Sequence, residues 1–268
     1  NADASLCLLI AVALFFIPNI VADLLFKGTS DGIHWHLLRC VGGQLLSASY
    51  MLFSISKGAS EFRSSCYLIR IIGMGLTLML LNHAVATAAK LISVQYVTTL
   101  KYWCYMVIGI YGSMQTISGW PVGKALSKTN KIGNLLYQLD SVASIVIGVA
   151  FFAFPKWLLY RQVKIELNET HEFCGRLLGA FFMSAYIVSS HALHWESIRL
   201  QKIAVDARSL VSIIILLSQI WSQISYGAYW SGGHWVGIFL YSTWTSLCLM
   251  YRFSLKKSLD KEISSKVQ

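Results

Sequence analysis

Charge is scarce in this sequence, and acidic charge scarcer still: 13% of the 268 residues are Asp, Glu, Lys or Arg, and 12 are acidic. Soluble domains carry about 25% charged residues, so an ordinary soluble domain is excluded. Proline is nearly missing, with three in the whole chain, which leaves no proline-rich linker or recognition segment. Catalytic signatures are missing too. There is no GxSxG, HExxH, P-loop or GxGxxG, so neither a nucleophile nor a nucleotide cradle is signalled. No CxxC or Cys/His spacing points to a metal cluster, and no cofactor or metal is expected.

What is present is apolar. Hydrophobic residues make up 56% of the chain, in blocks long enough to cross a bilayer, for which roughly 20 residues suffice. The blocks predict eight spans: 4–25, 37–56, 66–89, 101–119, 139–160, 173–194, 208–228 and 234–253. The first lacks the basic flank of a signal peptide and is expected to be a retained helix. The loops left over are too short for a soluble domain.

A repeat organises these blocks. Moved along by 137 positions, residues 3–50 fall on 140–187 without a gap, and Asp3 lands on Asp140, Pro18 on Pro155, Lys27 on Lys164, His34 on His171, Arg39 on Arg176 and Gly42 on Gly179. With an offset of 138, Arg70 falls on Arg208. Four spans per copy give both copies the same direction through the membrane, the parallel kind of duplication. The expected fold is therefore an all-α integral membrane protein, eight transmembrane helices arranged as two parallel four-helix repeats. The first repeat is 1–119, a linker follows at 120–138, the second repeat is 139–254, and a basic tail closes the chain at 255–268.

The net charge of +10 marks orientation, not nucleic acid. On one side of the predicted membrane lie 14 of the 22 Lys and Arg residues, against 8 on the other, and the positive-inside bias makes the richer side cytoplasmic. Both termini are then cytoplasmic, with the tail against anionic lipid. The triplet Asn168-Glu169-Thr170 is an N-glycosylation sequon on the opposite side, which places the protein in the eukaryotic secretory pathway, at the plasma membrane or an endomembrane. Cys40 and Cys174 lie near the same side and could meet as a disulfide.

Several residues carry competing readings. Gly42 and Gly179 are expected to let helices approach closely. Asp3 and Asp140 are expected to favour helix N-termini. Trp35, Trp157, Trp230 and Trp235 on one side and Trp120 and Trp195 on the other read as interfacial belts. Arg39 and Arg176 either snorkel or pair with acidic neighbours, or face each other across the repeat axis to hold an anion or lipid phosphate. Gln44, Asn82, His83, Gln219 and Gln223, with Gln115, must find partners inside the spans. They either glue helices together or line a polar vestibule. His83 lies too far along its span from His191 and His194 to share a metal with them. His34, His171 and His234, with His83 beneath, are either solvated or a pH-sensing group.

Two functions follow from this. One is a non-catalytic polytopic membrane protein that serves as an accessory, assembly or scaffold subunit through intramembrane packing. The alternative is a small transporter or channel-like protein for a neutral or anionic solute or a lipid, with its site between the repeats. Expected partners are membrane lipid and another membrane protein or a second copy, with no nucleic acid.

Overall fold

The computed structural model describes residues 2–123, 126 and 130–267. The linker residues Lys124 and Lys128 lie outside the described residues, as do the side chains of Lys57, Lys261 and Lys266. Ten α-helices follow one another: α1 (Ala2–Phe16), α2 (Pro18–Leu25), α3 (Gly32–Phe53), α4 (Ser60–Thr87), α5 (Val94–Ser118), α6 (Lys131–Ala153), α7 (Pro155–Leu159), α8 (Glu169–Ala192), α9 (Ile198–Ser225) and α10 (His234–Val267). Among the described residues there is no strand; two isolated bridges, Phe26 with Ile92 and Val163 with Trp230, tie loops together.

Each of the eight apolar blocks lies on a long helix or a bent pair. By length and composition, α4, α6, α8 and α9 are long and apolar enough to cross a membrane, and α1 with α2 makes a fifth if that bent pair is one span. Among the described residues α3, α5 and α10 do not meet that measure, so four or five of the eight expected spans are supported. Most residues of α3 are buried against other helices, His34, His36 and Gln44 among them. The tail expected as a separate segment continues α10 as far as Val267, and the linker gives way to α6 at Lys131.

Proline breaks two helices, as Pro18 and Pro155 near the ends of their apolar blocks lead one to expect. The chain bends by 102° between α1 and α2 at Pro18, and α6 gives way to α7 at Pro155. Proline lacks the N–H that would bond four residues back and clashes with that turn.

Packing follows the offset of 137. Helix α1 lies on α3 as α6 lies on α8, and α5 lies on α4 as α10 lies on α9. In the centre α3 packs on α9 and α8 on α4, with α3 and α8 touching each other. Gly42 and Gly179 sit at the tightest of these crossings. A Cβ on Gly42 would lie 2.9 Å from the Ala11 carbonyl oxygen, and one on Gly179 would lie 2.7 Å from the Gly148 carbonyl oxygen. The loops match as well: Lys27 N–H donates to the Leu91 carbonyl and Lys164 N–H to that of Tyr229, both at 2.8 Å.

Candidate functional site

The N-termini of α3 and α8 meet, and each opens with the same device. The Asp31 carboxylate accepts from the N–H groups of Ile33 and His34, and His34 Nδ1 lies 3.3 Å from the Asp31 N–H. The Asn168 side-chain Oδ1 accepts from Thr170 and His171 N–H, and His171 Nδ1 takes the Asn168 N–H at 3.2 Å. Both are reciprocal capping boxes, which satisfy N–H groups that a helix start leaves without partners. The sequon residues thus have structural roles of their own: Asn168 caps α8, and Thr170 is buried.

The two caps are joined through their histidines. The rings of His34 and His171 stack with centroids 3.8 Å apart and planes 31° from parallel. His171 Nε2 reaches Asp31 Oδ2 at 2.9 Å, and His34 Nε2 reaches Thr170 Oγ1 at 2.8 Å. Both imidazoles are buried, and Asp31 keeps 28% of its side chain exposed. These groups precede the blocks at 37–56 and 173–194. Burial pushes the Asp31 carboxyl up, but hydrogen bonds and charge from His171 and His34 outweigh it and hold the group well below the usual carboxylate range. Burial pushes the His34 imidazole down, and the bond with Asp31 offsets this only in part.

The spacing in the sequence shows no metal cluster, yet Asp31, His34 and His171 bring one ligand atom each within 4.8 Å of one another. Zinc takes such donors. Stacked rings, however, aim their in-plane lone pairs side by side and not at one point. The Asp31, His34 and His171 atoms concerned also already have hydrogen-bond partners. The arrangement suits a hydrogen-bonded junction between two helix caps better than it suits a cation. His234 and His83 are not part of it. His234 stacks on Trp230 at 3.8 Å and faces Gln223, and His83 lies on an exposed face of α4.

Two ion pairs are the second feature. Asp3 receives Arg70 at 2.8 Å on both carboxylate oxygens, together with Tyr111 Oη at 2.8 Å. Asp140 lies 2.7 Å from Arg208 Nε and accepts from Arg208 Nη2 at 3.0 Å, from Trp244 Nε1 at 2.9 Å and from Ser189 Oγ. Asp140 is no N-terminal residue, because α6 begins nine residues earlier at Lys131; its carboxylate neutralises a buried arginine. Each arginine sits ten residues past the start of its helix, about 15 Å along the axis.

Arg39 and Arg176 each bond a backbone carbonyl of a neighbouring helix. Arg39 Nε donates to the Phe15 carbonyl at 3.1 Å, and Arg176 Nη1 donates to the Phe152 carbonyl at 2.6 Å. Those carbonyls lie at the two proline breaks, where helical partners are lost. Arg39 also reaches Tyr226 Oη, and Arg176 reaches Glu172 at 3.4 Å. The arginines repair the breaks.

The expected vestibule residues are not brought together. Gln44 is buried beside Ser47, Arg70 and Ser184 at a cavity of about 10 Å³, and neither of its amide atoms has a partner. Asn82 and His83 lie on an exposed face of α4. Gln219 is buried against Gly237 of α10, and Gln223 bonds His234 at 2.8 Å. Gln115 is buried and donates to Ser64. His83 lines a separate cavity of about 130 Å³ with Glu169, Glu172 and Arg176, between α4 and α8.

Other readings change as well. Cys40 and Cys174 are buried free thiols. Trp195 and Trp230 are core residues, 1% and 3% exposed, and not belt residues. Trp120, Trp157 and Trp235 are exposed as a belt requires.

A family model described as "Domain of unknown function (DUF8292)" matches residues 1–253. No curated protein and no solved structure matches the chain.

Proposed function

The chain belongs to the DUF8292 family, and we propose that it is a non-catalytic polytopic membrane protein that acts as an accessory, assembly or scaffold subunit through intramembrane packing. In this reading eight helices span the membrane as two parallel four-helix repeats with both termini cytoplasmic. The recurrence of loop bonds, caps, glycine crossings and ion pairs at offsets of 137 and 138 supports the repeat. The charge bias supports the orientation. Setting aside Arg70 and Arg208 on one side and Arg39 and Arg176 on the other leaves 12 basic residues against 6.

The observation that carries the proposal is the apolar outer surface, since the seam between the halves is closed at Gln44 but open beside His83, where a cavity of about 130 Å³ lies between α4 and α8. Where α3, α4 and α8 meet, the cavity at Gln44 holds about 10 Å³, room for about one water. Outward faces, by contrast, present large apolar side chains, among them Tyr102 and Ile117 on α5 and Phe239 and Met250 on α10. Contiguous apolar surface of that kind suits lipid or a membrane partner. Photocrosslinkers placed at Ile117 and Phe239 in native membranes are expected to join the chain to one recurrent neighbour, a second copy or another membrane protein. Crosslinks to lipid alone, from protein that stays monomeric, would remove the basis for a subunit role.

The transport reading draws on the cavity beside His83, Glu172 and Arg176, which lies at the end of the bundle assigned as lumenal. Uptake of a small solute into vesicles carrying the purified protein would favour it. The secretory location is tested by enzymatic deglycosylation, which shifts the wild-type band and leaves Asn168→Gln unchanged if Asn168 carries a glycan.

A further inference from the structure

The cavity of about 130 Å³ between α4 and α8 has a rim and a floor of opposite chemistry. His83, Thr87 and Glu169 stand exposed on the rim, with Glu172 and Arg176 half-buried beside them. Leu80, Ala88 and Phe173 are buried in the floor. Glu172 and Arg176 lie 3.4 Å apart and offset each other, and Arg176 Nη1 is already held by the Phe152 carbonyl. Glu169 makes no ion pair among the described residues. With His83 neutral, the rim is left with one negative charge.

The other half of the molecule shows what this cavity lacks. Offsets of 137 and 138 set Glu169 against Gly32, Glu172 against Trp35, Arg176 against Arg39 and Ala88 against Tyr226. Between α3 and α9 the Tyr226 ring fills the equivalent crevice. It meets Trp35 edge to face at 5.5 Å and Arg39 Nη1 through its Oη at 3.5 Å. It also lies against Gly32, where a Cβ would come within 2.5 Å of the ring. Ala88 and Tyr226 end their helices with the same backbone, φ −128° and ψ 29° against φ −130° and ψ 27°. The space beside Ala88 is therefore the space that an aromatic ring takes in the other half. Two carboxylates edge it, where the filled half has glycine and tryptophan.

We propose that this cavity binds a small organic cation, an amine with an apolar body the size of one ring. The ring rests on Ala88 and Phe173, and the ammonium group stays at the rim against Glu169. An engineered apolar cavity of about 150 Å³ takes benzene, so the volume here suits a single ring and is too small for a lipid tail. Charge sets the sign of the ligand. An anion would meet the Glu169 carboxylate unopposed, because the Arg176 charge is already shared with Glu172.

The test uses the purified full chain in nanodiscs of zwitterionic lipid, with benzylamine as probe and saturation-transfer NMR as readout. Saturable binding is expected above that of empty nanodiscs. Benzyl alcohol, of the same shape but neutral, should bind about threefold to fivefold more weakly, the worth of one exposed charge pair, and benzoate more weakly still. Ala88→Tyr restores the ring that the other half carries on the same backbone and should abolish saturable binding. Glu169→Gln should bring benzylamine down to the affinity of benzyl alcohol. Equal binding of amine and alcohol would overturn the proposal, as would undiminished binding in folded Ala88→Tyr or no saturable binding at all. Because Glu169 is exposed, its variant keeps the test decisive if Ala88→Tyr fails to fold, and unchanged affinity there would overturn the proposal too. The assay reads binding and not uptake, so a protein that binds benzylamine and moves nothing keeps this site and loses the transport reading.

Discussion

Asp140→Asn isolates the worth of one buried charge pair. Asp140 and Arg208 each keep 7% of their side chain exposed, so neither is rescued by solvent. The change nearly preserves volume, and an asparagine oxygen can still accept from Trp244 Nε1. What it removes is the charge that balances Arg208. Breaking a buried pair from one side costs about 3–5 kcal/mol, and an uncompensated arginine at depth in a bilayer costs about 2.5–3.5 kcal/mol on insertion scales. The expected loss is therefore about 3–4 kcal/mol, several-fold more than an exposed pair is worth. Asp140→Asn with Arg208→Met should recover most of it, since apolar replacement of a buried pair is often neutral. Unfolding in mixed micelles with rising denaturing detergent, followed by near-UV circular dichroism, measures each variant. The double-mutant cycle should return a coupling of about 2 kcal/mol or more. A loss below about 1 kcal/mol for Asp140→Asn, or a double variant as unstable as the sum of the singles, would refute the reasoning.

The remaining predictions concern backbone and caps. Arg39→Gln and Arg176→Gln each remove a charge-assisted bond to a carbonyl at a proline break. Each is expected to destabilise by about 1.5–3 kcal/mol, read as a lower melting temperature; unchanged melting would mean that the breaks need no such support. Gly179→Ala places a methyl 2.5 Å from Phe152 N and should cost about 1–3 kcal/mol or more. Gly75→Ala, with nothing within 4 Å, should be neutral or slightly stabilising. The lowered folded pKa of His34 means that the unfolded chain takes up the proton first, near pH 6.5. That contribution to stability is full above pH 6.5 and is lost as pH falls below it towards the lowered folded pKa. Asp31 and His171 face the same ring, so the control is the pH slope itself: His34→Gln should flatten it, and an unchanged slope would assign the titration elsewhere.

Legibility in the sequence was uneven, and the reasons are physical. Helices announce themselves through long apolar runs, and Pro18 and Pro155 mark where they break. Gly42 and Gly179 are readable because close approach is what a repeated glycine in a greasy helix offers. The acids are harder. Asp3 does lie in the first turn of α1 and Asp140 does not in α6, but neither shows its partner in the sequence, since the arginines stand 67 and 68 positions away and meet them only once the third helix of each unit has folded back. Arg39 and Arg176 look free for the same reason, because their acceptors are backbone atoms, which leave no trace in the residue letters. The histidine pair did leave a signal. Asp31-x-x-His34 and Asn168-x-x-His171 are equivalent capping patterns, and caps at matched positions of paired helices place their third residues side by side.

That pairing is chemically lopsided. Equivalent N-cap positions hold Asp31 in one half and Asn168 in the other, so a single negative charge serves two imidazoles. Were either half to associate with a copy of itself, the junction would hold two carboxylates in mutual repulsion or two amides with no charge to share. Only the unlike halves together give one carboxylate for two imidazoles. The two halves are therefore not interchangeable, and a chain with its halves exchanged or doubled would lose this arrangement at its centre while keeping every helix.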